Sequence, residues 1–151
     1  MEEIIARNAD RLFRTAVAVL RSKEDAEDIV QDVFVKWHEK KPHFYSEEHE
    51  TAWLLRVAVN LCRSRLRSPW RRWRVPLLET EPARDESERQ VVTEVLSLPV
   101  KYRTAIHLHY FEGYSTAEIA DITGQREPTV RQQLTRARRM LKDLLTEGEW
   151  A

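Results

Sequence analysis

The sequence has little cysteine and glycine and no long run of apolar residues. Its 151 residues include one cysteine, Cys62, and three glycines. A single cysteine cannot form a disulfide within the chain, which favours a reducing compartment and a cytoplasmic protein. No apolar run approaches the roughly 18 residues that a membrane-spanning helix needs. The acidic start, with Glu2 and Glu3, also lacks the apolar stretch of a signal peptide, so we expect no membrane insertion.

The motifs of common enzymes and metal proteins are missing too. There is no cysteine pair, no H-E-x-x-H spacing, no glycine-rich phosphate loop and no hydrolase-like set of serine, histidine and acid. His107 and His109 are two residues apart, so a helix would direct them to different sides. We therefore expect no metal, no cofactor, no small-molecule substrate and no enzymatic activity. Cys62 is interpreted as a buried thiol, because it lies on an apolar stripe.

Charge is balanced over the whole chain but segregated along it. Lys plus Arg and Asp plus Glu each number 25, which gives a formal net charge of zero. Residues 23–39 hold six acidic and two basic side chains, residues 56–74 hold seven arginines and no acid, and residues 126–142 hold six basic side chains and one acid. Surfaces of opposite charge favour different partners. The neutral total predicts weak DNA binding by the free chain, because counterion release rewards neutralisation of phosphates.

Apolar residues recur at helical spacing along most of the chain, and no segment alternates as a strand does. The first half predicts three helices: one over 2–21, a second that begins after a cap at Ser22, and a third over roughly 51–67. The polar residues 42–50 are expected to form a loop between the second and the third. Three such helices can enclose a small core, so residues 1–67 are interpreted as a first domain.

Residues 68–85 contain three prolines and no sustained period, and they are interpreted as a linker. Trp70 and Trp73 lie within it among arginines, and exposed tryptophans favour a docking surface. Helical spacing returns in residues 86–151, which are interpreted as a second domain. The sequence therefore predicts an all-α protein with two small helical domains joined by a linker.

A helix-turn-helix pattern occupies the later part of the second domain. A preceding helix is expected to stop before Gly113. Ser115 and Glu118 have the spacing of a capping box that opens a short helix. A tight turn then leads to a longer helix, with Pro128 at its first position and its end near Leu145.

The segment TVRQQLTRARRML, residues 129–141, is basic and amphipathic. Its apolar residues form one stripe, and its other faces carry arginine and glutamine, which can form paired hydrogen bonds with guanine and adenine. Such a helix can lie in a DNA major groove with its later arginines at phosphates. The alternative is a surface helix with solvated charges. The candidate DNA-contacting residues are Arg131, Gln132, Gln133, Arg136, Arg138 and Arg139.

A second candidate nucleic-acid surface lies on the third helix, where spacings of three and four residues place five side chains on one face. An aromatic ring and an amide among arginines are suited to exposed bases and backbone phosphates. The alternatives are solvated arginines and, for Trp53, a place in the core. The five side chains are Trp53, Arg56, Asn60, Arg63 and Arg67.

Four segments resemble the extracytoplasmic-function (ECF) sigma factors of bacterial RNA polymerase: SKEDAEDIVQDVFVKWHE, AWLLRVAVNLCRSRLR, LPVKYRTAIHLHYFEGYSTAEIAD and TVRQQLTRARRMLK. They occur in the order and at about the spacing of that family, and the resemblance covers nearly the whole chain. It implies a first domain similar to sigma region two and a second similar to region four. It further implies binding to the polymerase core, recognition of two promoter elements, opening of the duplex at the downstream element, and no covalent chemistry.

The resemblance also implies roles for particular residues of the first domain. The acidic face of the second helix corresponds to the surface with which family members dock on a basic coiled coil of the largest polymerase subunit. From the residues alone, solvated acids are the alternative. This acidic face consists of Asp28, Gln31, Asp32 and Val35. The loop at 42–50 corresponds to the loop that captures a base flipped out of the downstream element, for which His43, Phe44 and Tyr45 offer stacking and polar edges.

In the second domain, the resemblance assigns contact with the upstream element to Arg131, Gln132, Arg136 and Arg138. Glu127 is interpreted as stabilising the helix dipole rather than as a base contact. The partners implied are core RNA polymerase, promoter DNA and an anti-sigma protein.

Two other functions stay open on the sequence. One is a stand-alone helix-turn-helix DNA-binding regulator, for which only residues 115–141 would be functional. The other is a sigma-like protein-interaction adaptor that no longer melts DNA. The regulator leaves the acidic face and the face of the third helix without a role, and the adaptor leaves the arginines without one.

Overall fold

The structure is a computed structural model that describes residues 2–68 and 86–150. Of residues 86–88 and 147–150 it describes the backbone only. Residues 69–85 of the predicted linker, with Trp70 and Trp73, lie outside the described residues, so the docking surface predicted there stays a prediction.

Seven α-helices and one π-helical turn make up the described residues, and no strand occurs within 2–68 or 86–150. The prediction of an all-α protein is thereby confirmed. The helices are α1 Glu2–Leu20, α2 Lys23–Lys40, α3 Glu47–Arg67, α4 Glu86–Ser97, α5 Val100–Ile106, α6 Thr116–Thr123 and α7 Glu127–Trp150. The π-helical turn, His107–Phe111, continues directly from α5.

Local sequence signals set several helix ends. The Ser22 hydroxyl accepts a hydrogen bond of 3.2 Å from the backbone N–H of Asp25 and caps α2. Ser115 and Glu118 form both bonds of a capping box at the start of α6, at 3.1 Å and 3.0 Å. Gly124 ends α6 in the left-handed region, at φ 67°, where a side chain would be strained. These caps confirm the predicted starts of α2 and α6.

Two predicted helices have different bounds in the structure. The third helix begins at Glu47 rather than near residue 51, because the Ser46 hydroxyl accepts a 3.1 Å bond from the backbone N–H of His49. Acidic side chains in the first turn of α3 favour this earlier start by complementing the helix dipole. The last helix begins at Glu127, one residue before Pro128, and it extends past Leu145 to Trp150. The loop before α3 is therefore shorter than the predicted 42–50.

The first three helices form one bundle, called here the first bundle. α1 packs on α2 and α3, and α2 packs on α3. Its interior consists of apolar side chains from all three helices, including Leu12, Ile29 and Leu54. Polar groups are buried there as well, among them the Glu50 carboxylate, which accepts hydrogen bonds from Arg7 and Asn8. This network joins the start of α1 to the start of α3.

The remaining helices form the second bundle. α7 packs on α4, α5 and α6, and Leu108, Ile119 and Leu134 are fully buried between them. The apolar stripe of α7 faces this interior, as the spacing of its residues predicts. The opposite faces of α7 are left exposed, which presents its basic side chains to solvent.

The two bundles pack against each other. α1 lies against α5, α3 lies against α6, and the buried apolar residues of both bundles form one continuous cluster. A cavity of about 350 Å³ lies at this junction and is lined by residues of both bundles, including Val59 and Arg63 of the first and Ile119 and Gln133 of the second.

Candidate nucleic-acid interface

The recognition helix, α7, is held by its apolar stripe and exposes most of the predicted DNA-contacting side chains. Val130, Leu134 and Ala137 are buried. Five of the six predicted residues are exposed on the other faces: Arg131, Gln132, Arg136, Arg138 and Arg139. The sixth, Gln133, is only 8% exposed and lines the junction cavity, so the structure does not bring it to the same surface.

A chain of polar contacts holds one arginine at the start of α7. The Thr116 hydroxyl, in the first turn of α6, donates a 2.7 Å hydrogen bond to the Glu127 carboxylate. The same carboxylate pairs with the Arg131 guanidinium at 3.0 Å. The first helix of the helix-turn-helix therefore orients a side chain of the second. The sequence analysis interpreted Glu127 only as stabilising the helix dipole, and it missed this contact with Arg131.

The π-helical turn adds a residue that sequence reasoning did not select. The Tyr110 hydroxyl accepts a 3.0 Å hydrogen bond from Arg138, and the Tyr110 side chain is itself exposed. A π-helical turn shifts the phase of the residues that follow it, and no pattern in the sequence marks one here. Tyr110 and Arg138 together offer a phenol and a guanidinium at the edge of the basic face of α7.

The residues of the predicted face of α3 differ in how far they are exposed to solvent. Arg56, Asn60 and Arg67 are exposed, whereas Arg63 is partly buried. Arg63 donates a 2.6 Å hydrogen bond to the backbone carbonyl of Thr123, at the end of α6. Burial lowers the pKa of Arg63 from its usual value, and the positive charge of Arg67 lowers it further.

Aromatic side chains gather where the loop before α3 meets this face. Phe44 packs against Trp53 with ring centroids 5.8 Å apart, and Trp53 is partly buried against the core. Tyr45 is 95% exposed and stacks on His49 at 5.0 Å. His43 is exposed beside them. Trp53 contacts the core, which is one of the two alternatives that the sequence left open for it, and its ring also packs against the loop.

The acidic face lies on the opposite side of α2 from its buried stripe. Asp28, Gln31, Asp32 and Val35 are all exposed, with Val35 at 54% despite its apolar side chain. Arg65 approaches this face from α3 and lies 3.3 Å from the Asp28 carboxylate. The result is an open acidic surface that includes one exposed apolar side chain.

Within the described residues, no group of three or more His, Cys, Asp or Glu side chains is arranged to hold a metal ion. His107 contacts the Glu112 carboxylate, and His109 contacts the backbone carbonyl of Tyr114, so the two histidines have different partners. Burial raises the pKa of Cys62 to about 12, and the thiol is fully buried, as expected. None of the helices in residues 2–68 and 86–150 has the length and apolar character needed to cross a bilayer.

Comparison with known families gives two matches that together cover most of the chain. Residues 4–72 match the model of sigma-70 region 2, and residues 88–141 match the model of sigma-70, region 4. The matched ranges contain the acidic face, the face of α3 and the recognition helix.

Individual relatives agree with these matches. The ECF RNA polymerase sigma factor SigM of Mycobacterium tuberculosis is 32% identical over 149 residues, which cover 95% of this chain and 76% of SigM. The ECF RNA polymerase sigma factor SigW of Bacillus subtilis is 27% identical over a match that covers 91% of this chain and 84% of SigW.

Solved structures give the same fold. The sigma factor RpoE of Bartonella quintana, solved in complex with the anti-sigma factor NepR, superposes with a TM-score of 0.83 at 24% identity, over 96% of both chains. CnrH, solved in complex with the cytosolic domain of CnrY, superposes with a TM-score of 0.72 at 28% identity, over 97% of this chain and 87% of CnrH.

Proposed function

The chain belongs to the ECF RNA polymerase sigma factors, and from this premise we propose which of its surfaces meets each partner. As a sigma factor it binds core RNA polymerase and directs transcription from specific promoters. The observation that carries the residue assignments is the presence of three exposed faces of different charge on one chain: one acidic face on α2 and two basic faces on α3 and α7. Covalent chemistry belongs to the polymerase core, and the chain acts with it in the cytoplasm.

The acidic face docks on the polymerase core. Asp28 and Asp32 steer and orient the encounter with a basic surface, because complementary charge raises association rates and fixes register. Val35 adds exposed apolar area to the contact. The salt bridge from Arg65 holds the Asp28 carboxylate in place but leaves it exposed for a partner.

The face of α3 and the loop before it recognise the downstream element once its bases are exposed. The exposed Tyr45 ring offers a stacking surface for an extruded base. The packing of Phe44 against Trp53 supports the loop. Stacking of a base on an aromatic ring is worth ~1–3 kcal/mol. Arg56 and Arg67 then lie along the strand as phosphate contacts.

The recognition helix contacts the upstream element in duplex form. Arg131 and Gln132 lie in its first turns, where a helix in a major groove meets base edges, and the later arginines lie where the backbone passes. Arg138 and Tyr110 together suit one phosphate, because each can donate a hydrogen bond to its oxygens. Gln133 does not belong to this set, because its side chain is buried.

An anti-sigma protein is a further proposed partner. Two similar proteins were solved as complexes: the sigma factor RpoE with the anti-sigma factor NepR, and CnrH with the cytosolic domain of CnrY. The stand-alone regulator is the weaker candidate function, because it gives no role to the open acidic surface on α2. The adaptor is weaker still, because it gives no role to the arginines of α3 and α7.

The docking proposal is tested by co-elution with purified core RNA polymerase in gel filtration. Wild-type chain is expected to elute with the core, and the variant Asp28→Arg plus Asp32→Arg is expected to elute alone. The matched control is Glu3→Arg plus Asp10→Arg, which makes the same change of charge at exposed positions on α1. Equal co-elution of all three chains would contradict the assignment of the acidic face.

A further inference from the structure

We propose that His49, in the first turn of α3, is the residue that positions the Tyr45 ring for an extruded base. The proposal rests on the proposed function, which gives Tyr45 the role of a stacking surface. It adds the residue that holds this surface in place and a buried anchor, Glu50, that holds the turn to which His49 belongs. The loop concerned is called here the capture loop and consists of residues 41–46.

Both ends of the capture loop are fixed by contacts with the adjoining helices. Lys41 lies in the left-handed region, at φ 45°, and its N–H donates a 2.9 Å hydrogen bond to the carbonyl of Trp37 in α2. At the other end, Ser46 caps α3 by accepting a hydrogen bond from the backbone N–H of His49. Only residues 42–45 lie between these two ends, so a contact made by one of them constrains the whole loop.

His49 contacts Tyr45 in two ways. The backbone N–H of Tyr45 donates a 3.1 Å hydrogen bond to Nδ1 of His49. The two rings are also stacked, with centroids 5.0 Å apart and planes inclined by 22°. The hydrogen bond places the backbone of Tyr45, and the stack sets the plane of its ring. Because Tyr45 is 95% exposed, the face of its ring that is turned away from His49 is open to a base.

The hydrogen bond also defines which nitrogen of His49 carries the proton. A backbone N–H can only donate, so Nδ1 must offer a lone pair, and the proton of the neutral ring then lies on Nε2. The side-chain oxygen of an asparagine has the same place relative to Cβ as Nδ1 and is also an acceptor. Asparagine at this position can therefore replace the hydrogen bond but not the stack, whereas phenylalanine can replace the stack but not the hydrogen bond.

A further ring supports His49 from the side. Phe44 meets the His49 ring edge-on, with 5.5 Å between the centroids, which is a favoured aromatic geometry. Phe44 also packs against Trp53, and Trp53 is partly buried against the core. Aromatic contacts thus continue without a break from the core of the first bundle to the exposed ring of the capture loop. In order, they join Trp53, Phe44, His49 and Tyr45.

Glu50, the next residue along the chain, ties this turn of α3 to α1. Its buried carboxylate accepts hydrogen bonds of 3.0 Å from the Arg7 guanidinium and from the Asn8 amide. The Thr51 hydroxyl donates a 2.7 Å bond to the side-chain oxygen of Asn8. Apolar side chains of similar volume often stabilise such a place as well as a buried ion pair does. The network is therefore better suited to fixing the orientation of this turn than to adding stability.

The test uses holoenzyme assembled from core RNA polymerase and the chain. Its ligand is a single-stranded oligonucleotide that the wild-type holoenzyme selects from a randomised pool. Each base is removed in turn to leave an abasic site, and fluorescence anisotropy gives the affinity. For wild type, loss of the captured base should weaken binding by roughly 5- to 100-fold, the equivalent of one base stacked on an aromatic ring. The readout is the ratio of the affinities for the intact and abasic oligonucleotides, because a chain that is only less stable loses affinity for both.

The variants separate the stacking ring from the residue that positions it. Tyr45→Ala should bring the ratio at the captured base close to one. His49→Ala should lower the ratio several-fold, His49→Asn should restore most of it, and His49→Phe should restore little, because the hydrogen bond places the Tyr45 backbone. The control is His38→Ala, which removes an exposed imidazole from α2 and should keep the wild-type ratio.

The anchor is tested in the same assay. Glu50→Ala should lower the ratio, whereas Glu50→Gln should keep it, because the amide oxygen can still accept a hydrogen bond from Arg7 or Asn8. Glu48→Gln is the control, since it makes the same change at an exposed position of the same turn. A wild-type ratio for Glu50→Ala would overturn the role of the anchor.

Failure of the proposal can be told apart from failure of the proposed function. If Tyr45→Ala leaves the ratio unchanged at every position of the oligonucleotide, the stacking role of the capture loop is wrong. If the ratio falls for Tyr45→Ala but not for His49→Ala, the stacking role holds and positioning by His49 is overturned. Equal ratios for His49→Asn and His49→Phe would overturn the hydrogen bond as the contact that positions the ring.

Discussion

The guanidinium of Arg63 donates a 2.6 Å hydrogen bond to the backbone carbonyl of Thr123. One bond thus joins the α3 face, which we assign to the downstream element, to the helix-turn-helix, whose second helix we assign to the upstream element. In the polymerase-bound chain, we expect Arg63 to release this carbonyl and to contact a DNA phosphate instead.

Arg63→Ala is expected to weaken binding of the polymerase-bound chain to single-stranded downstream DNA. Loss of one phosphate contact should reduce the slope of log affinity against log salt by about 0.7. The control is Arg65→Ala, because Arg65 faces Asp25 and Asp28 on α2. Affinity measured over a series of salt concentrations checks this, and identical slopes for wild type and Arg63→Ala would count against the contact.

Glu127→Gln is expected to relax base preference at one position of the upstream element. Glu127 holds Arg131, so its loss should remove part of the ~1–3 kcal/mol that a paired arginine–guanine contact contributes. Thr116→Val should have a similar effect, because it releases Glu127. Selection from a randomised promoter library gives the preference at each position. Asp143→Asn, on the same helix, is the control, and equal profiles for Glu127→Gln and wild type would refute the positioning role.

Acid is expected to destabilise the chain through Glu112. Burial alone would raise the pKa of this carboxyl, but hydrogen bonds from His107 and Arg14 and their charges lower it from 4.5 to about 2. A depressed pKa means that its contribution is complete above about pH 4.5 and is lost as the pH falls towards 2. At ~1.4 kcal/mol per pKa unit, the contribution is about 3 kcal/mol.

Urea unfolding at a series of pH values, compared between wild type and Glu112→Gln, isolates this carboxyl from the other acids. The difference in the free energy of unfolding between the two chains should shrink as the pH falls through the window. A difference that stays constant with pH would show that Glu112 has no depressed pKa.

Cys62 is expected to be unreactive in the folded chain. It is fully buried and its pKa is raised to about 12, so almost no thiolate exists at neutral pH. A colorimetric thiol reagent should label it in urea but not in native buffer. Rapid labelling of the native chain would contradict the buried position.

Much of the fold follows from local signals in the sequence. Ser22, the Ser115–Glu118 pair and the glycine at 113 mark helix ends through their own side chains or backbone freedom, so they can be recognised without knowledge of tertiary structure. The start of α3 had such a signal as well, in Ser46 and the acids after it, but the surrounding polar residues resemble a loop.

The candidate site was less completely predictable. Helical spacing identifies which residues share a face, but it does not show which face is covered by another element. Gln133 and Arg63 lie on predicted DNA surfaces and are both withdrawn to the junction between the bundles. The hydrogen bonds of Arg103 to the end of α1 join residues more than 80 positions apart, so no local sequence pattern indicates them.

The most direct test of the central claim is transcription by core RNA polymerase with the purified chain on a two-part promoter selected from a randomised library. We predict run-off transcripts that need both the core and the chain and that the Asp28→Arg plus Asp32→Arg variant cannot support. Transcripts no more abundant than with the core alone, together with direct duplex binding by the free chain, would contradict the account and favour a stand-alone regulator.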